Sequence, residues 1–125
     1  MAQRARQATK SPATVLSTAV ARAAALLGLN QREAAKVLGL SAATLSRLAA
    51  GRYELEPDSK PWELGVQLVR LYRGLDAIMA GDENALKAWM NNENTDLQGA
   101  PRELIRETAG LVHTVDYVDG FRARV

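Results

Sequence analysis

Residues 30–51 read NQREAAKVLGLSAATLSRLAAG, two short helical patterns set back to back around one glycine. Asn30 is a capping residue type, and Glu33 follows three positions later, the spacing at which side chain and backbone cap each other. Ser41 is placed to cap the second pattern. Ala34, Leu38, Leu40, Leu45 and Leu48 fall where two crossed helices bury a shared face. Ala35 is small at the point of closest approach, and Gly39 can take the positive φ of a tight turn. The spacing predicts a helix-turn-helix, whose second helix enters the DNA major groove. The alternative is an ordinary helical hairpin inside a bundle. A lone alanine–glycine pairing would not separate the two, whereas the whole spacing favours the first.

The expected recognition helix runs from about Ala42 to Ala50. Leu45 and Leu48 face inward, which leaves Ala42, Ala43, Thr44, Ser46 and Arg47 for DNA. Arg47 can make a bidentate contact to guanine, and the two alanines can sit against thymine methyls. Ser41, Gln31 and the amides at the two helix starts suit phosphates. Arg32, Lys36 and Arg52 are further candidate phosphate contacts.

Charge supports this placement. The net charge of +2 hides an asymmetry. Residues 1–52 carry eight basic groups and one acid, Glu33, a net of +7. Residues 53–125 carry eight basic groups and thirteen acids, a net of −5. Two halves of opposite sign suit two different partners, and polyanionic DNA suits the first.

At 125 residues the chain makes one domain or two small ones. No stretch approaches the roughly 20 apolar residues of a membrane span, and no secretory core opens the chain. There is no cysteine, so neither disulfides nor thiolate ligands arise, and the cytoplasm is the simple expectation.

Outward from the helix-turn-helix, residues 1–12 read as a mobile basic arm that could lie along phosphates or enter a minor groove. In the helix expected over residues 13–27, Leu16, Val20, Ala23 and Leu27 form one stripe. That helix supports the helix-turn-helix from behind, and the DNA-binding unit spans residues 13–60. Residues 53–60, YELEPDSK, read as a polar linker. Pro61 then sits near the start of a long helix reaching about Ala80. Leu64, Leu68, Leu71, Leu75 and Ile78 repeat there at spacings of 4, 3, 4 and 3, a coiled-coil-like seam. Val66, Val69 and Tyr72 add a second apolar face. A helix apolar on two faces can pack within its own domain and on a second protomer, and the stripe from Leu64 to Ile78 is expected to supply the two-fold contact of a homodimer.

Gly81 ends that helix and Asp82 caps the next, which buries Leu86, Trp89 and Met90. Residues 91–100 form a loop. Pro101 starts the last helical region, where Leu104, Ile105, Ala109, Val112, Val115 and Val118 recur at helical spacing and Gly110 marks a kink or a close contact. The fold class is therefore all-α: a helix-turn-helix bundle followed by a small helical domain over residues 61–125. His113 is the only histidine and has no ligand set around it. No nucleophile elbow or phosphate loop is present. Neither an enzyme nor a metal or cofactor is expected.

The chain resembles the Xre/MbcA/ParS-type antitoxins over nearly everything after the arm, and its second half carries the more telling part of the likeness. It rests on Leu68-Val69-Arg70-Leu71-Tyr72-Arg73-Gly74-Leu75-Asp76, and on Ala88-Trp89-Met90 followed by Asn94, Leu97, Gly99 and Pro101. Leu104-Ile105, Gly110-Leu111-Val112, Val115, Tyr117 and Asp119 continue it. Met90, where leucine is usual, and Gly120 are departures. The resemblance implies a cognate toxin with a RES domain, a class that destroys NAD. It implies too that the antitoxin blocks this toxin and represses their shared operon. Trp89, Asn94, Tyr117 and Asp119 are then toxin-binding candidates. The ending Phe121-Arg122-Ala123-Arg124-Val125 adds Phe121 as an anchor, with Arg122 and Arg124 either pairing with acids or occupying a phosphate-binding cleft. The alternative is a stand-alone transcriptional regulator whose second half dimerises or senses a ligand.

Overall fold

The computed structural model describes residues 10–124. The basic arm expected over residues 1–12 therefore lies almost wholly outside the described residues, as does Val125. Among the described residues there are seven helices and no strand. They are α1 (Pro12–Leu26), α2 (Gln31–Leu38), α3 (Ala42–Ala49), α4 (Lys60–Met79), α5 (Glu83–Asn91), α6 (Pro101–Leu104) and α7 (Thr108–Arg124). None is long and apolar enough to cross a membrane.

Local chemistry sets most of the boundaries. Ser11, Asn30, Ser41, Ser59 and Asp82 each accept a hydrogen bond from a backbone amide in the first turn that follows. Each satisfies a donor that a helix start leaves without a partner. At Asn30 the box is complete: Oδ1 accepts from Glu33 N at 2.8 Å, and Asn30 N donates to Glu33 Oε1 at 3.0 Å. Gly39 closes α2 with φ of 70°, as a left-handed turn requires. The long helix ends one residue earlier than its glycine suggests. Ala80 is the left-handed cap, with φ of 52°, and Gly81 follows with φ of 81°.

Helix α4 is the axis of the molecule. Near its start it packs on α1 and α2, and further along on α5 and α7. Two glycines permit the close approaches. A Cβ on Gly65 would lie 2.9 Å from Val20 Cγ2, and one on Gly74 would lie 2.6 Å from Val118 Cγ1. This packing corrects the dimer seam. Leu64, Leu68, Leu71 and Leu75 are all buried inside the single chain, and only Ile78 stays exposed, at 41%. Burying each leucine is worth roughly 2 kcal/mol, so the stripe is not available to a second protomer.

The stretch after α3 is not a free linker. Leu55 is fully buried, and its amide donates to the buried Ser17 hydroxyl at 2.8 Å. The last helical region is also corrected: α6 and α7 are separate helices joined by an elbow at residues 105–107. The break resets the helical phase. Ala109 and Val112 are exposed, while Leu111, Thr114, Val115 and Val118 face the core. Gly110 is a close contact, because a Cβ there would sit 2.0 Å from the Leu104 carbonyl oxygen.

Candidate nucleic-acid interface and the C-terminal face

The recognition helix presents the side chains that its pattern promised. Ala42, Ala43, Ser46 and Arg47 are exposed, Thr44 is half-buried, and Leu45 and Leu48 anchor the helix to the core. Three polar residues form a chain along one edge. The Ser41 hydroxyl donates to Thr44 Oγ1 at 2.9 Å, and Arg47 Nη2 donates to the same oxygen at 3.2 Å. Thr44 thus steadies the guanidinium while leaving most of its donors open. Gln31, Arg32, Ser41 and Arg52 are exposed around the two helix starts and the turn after α3, and Lys36 is exposed in the last turn of α2.

The C-terminal candidates divide into two groups. Tyr117 and Phe121 stand together, ring centroids 4.9 Å apart and edge to face, with the Tyr117 hydroxyl donating to Asp96 at 2.7 Å. With Asp116 and Gly120 these three line one cleft, whose walls do not include Trp89, Asn94, Asp119 or Arg122. Phe121 is 41% exposed. The others have work within the fold. Asn94 Oδ1 accepts from Leu97 N at 3.0 Å, and its backbone pairs with Gly99, which together shape the loop. Asp119 bridges α7 to α4 through Arg70 at 2.5 Å, an exposed pair worth well under about 1 kcal/mol. Trp89 packs half-buried against the core. The exposed Arg122 runs its stem past Gly74. The side chain of Arg124 lies outside the described residues.

One constellation had no trace in the sequence pattern. Glu33, already a capping residue, is also where the two halves of the chain are bolted together. Arg102 Nε, from α6, lies 3.0 Å from Glu33 Oε2, an ion pair poorly aligned as a hydrogen bond. Arg102 also donates to the Gly28 carbonyl and to Asn91 Oδ1. Arg106, from the elbow, reaches the same Glu33 oxygen at 3.5 Å. Residues 69 positions apart share no periodicity, so only the packed fold could reveal the pairing.

A three-helix head on a shared axial helix, with an acidic helical unit packed on the same axis, has the architecture of a helix-turn-helix protein with a second helical unit. Residues 6–70 match the family model of the antitoxin Xre-like helix-turn-helix domain. Residues 74–124 match that of the antitoxin Xre/MbcA/ParS C-terminal toxin-binding domain. The first match covers just over half of the chain, and the chain belongs to the Xre-like antitoxin family. The two matches meet within α4, the helix that both halves pack against. No curated protein sequence matches the chain significantly. The molecule is an antitoxin of a toxin–antitoxin pair, with a DNA-binding helix-turn-helix and a toxin-binding domain.

Proposed function

We propose that the chain neutralises a RES-type, NAD-degrading toxin through its C-terminal face and represses the operon encoding both proteins. The observation that carries this reading is the pairing of an exposed Ser41–Thr44–Arg47 edge in one half with a toxin-binding domain match over the other. Base contacts come from Arg47, with Ala42, Ala43, Thr44 and Ser46 shaping the fit. Gln31, Arg32, Lys36, Ser41 and Arg52 hold phosphates. The toxin meets the Tyr117–Phe121 cleft and the arginines beyond it, with Trp89, Asn94 and Asp119 supporting that surface from within. The protein works in the cytoplasm as a homodimer, because two half-sites about 34 Å apart supply the affinity that one small head lacks. The two-fold contact uses a face other than the buried leucine stripe.

The test is co-expression with the product of the adjacent gene. Co-purification of the two proteins, preserved NAD and repression of a reporter fused to the upstream DNA are expected together. Repression without any captured partner would favour a stand-alone regulator.

A further inference from the structure

The charge map of the folded chain differs from that of the sequence. Three cations of the acidic half, Lys87, Arg102 and Arg106, gather at its junction with the helix-turn-helix. The stem of Lys87 lies against Gly28, and Arg102 and Arg106 converge on Glu33. The single negative charge of Glu33 is only 11% exposed and already has Arg102 beside it and the Asn30 amide on its other oxygen. Arg106 is therefore surplus to that carboxylate. Its side chain is 46% exposed, and it lines one open cleft together with Arg32, Lys36 and Glu33. Three cations around one nearly covered acid leave a positive surface along α2, the first helix of the helix-turn-helix, which in such motifs crosses the DNA backbone.

We infer that Arg106, a residue of the toxin-binding half, is a phosphate contact that extends the DNA-binding surface across the junction. Arginine carries five donors in a planar fork, so one edge can stay on Glu33 while the other meets a phosphate. The partner is double-stranded DNA read through its backbone, so the contact adds affinity and register without base preference. This rests on the DNA-binding reading above, and the arms of the test keep the two apart.

The experiment titrates the full chain against two labelled duplexes, one from the DNA upstream of its own coding sequence and one scrambled, across a salt series. Arg106→Gln keeps the stem and removes the charge. It should weaken both duplexes several-fold at low salt and make log K against log salt shallower by about 0.9. Arg106→Lys should restore most of the slope. Lys60→Ala, which removes an exposed cation paired with Glu63 at the start of α4, should leave it unchanged. Equal slopes for Arg106→Gln and the native chain would overturn the inference. If Arg47→Ala still lost preference for the upstream duplex, the DNA-binding reading would survive. An equal effect from Lys60→Ala would reduce the result to net charge and overturn it as well. Unchanged DNA binding with weaker capture of the toxin would assign Arg106 to the other partner. A native chain that bound neither duplex would sink both readings.

Discussion

Two of the short connections between helices, α2 to α3 and α6 to α7, are written in different ways. Between α2 and α3 the signal is local. Gly39 supplies the left-handed residue, Ser41 caps the next helix, and the nearest foreign atom to a Cβ at Gly39 is Leu64 Cδ1 at 3.8 Å. Between α6 and α7 the connection itself contains no glycine. The residue that permits it is Gly110, inside the following helix, where the Leu104 carbonyl takes the space of a side chain. A turn can be specified by conformational freedom at its centre or by a missing atom beyond its end.

The largest expected effect tests that contrast directly. Gly110→Ala places a methyl against a backbone carbonyl that has no rotamer to escape through. It should cost about 3 kcal/mol or more, read as a drop in denaturant midpoint, or leave the chain unfolded. Next comes the function that the first pair supports. Arg47→Ala should lose about 1–3 kcal/mol of affinity for the upstream DNA and relax preference at one base position, as seen by fluorescence anisotropy. Gly39→Ala meets strain but no clash, so about 1 kcal/mol of stability should go. If it cost as much as Gly110→Ala, the distinction between the two connections would fail. The smallest effect has the opposite sign. Ala80 already holds a left-handed φ of 52°, so Ala80→Gly should raise stability by up to about 1 kcal/mol in thermal melts.

The same contrast explains what the sequence disclosed. The helix-turn-helix was legible because each of its devices acts within four residues: the Asn30–Glu33 box, the Gly39 turn, the Ser41 cap. The C-terminal region was legible as helix, and its register was lost at one point. A single periodicity drawn from Leu104 through Val118 carries the phase across the elbow. The real break turns Ala109 and Val112 outward and brings Leu111 and Thr114 in. Leu55 was hidden for another reason: one apolar residue in an acidic stretch has no period, and its partner Ser17 is 38 positions away. The leucine stripe of α4 showed that a buried face existed, but periodicity does not say what covers it. Here α1, α2, α5 and α7 do. The bolt from Glu33 to Arg102 and Arg106 is the extreme case, since each residue alone looks like an ordinary surface charge.

The most direct test of the proposed division of labour is the NAD content of cells expressing the toxin with one of three antitoxins: the native chain, Arg47→Ala, or a chain lacking residues 120–125. Arg47 lies on the recognition helix, and the removed residues include Phe121 on the exposed C-terminal face. NAD should be preserved by the native chain and by Arg47→Ala supplied from an independent promoter, and should collapse with the truncated chain. Full protection by a truncated chain, or loss of protection by Arg47→Ala at equal protein level, would contradict a toxin-neutralising end separate from a DNA-reading head.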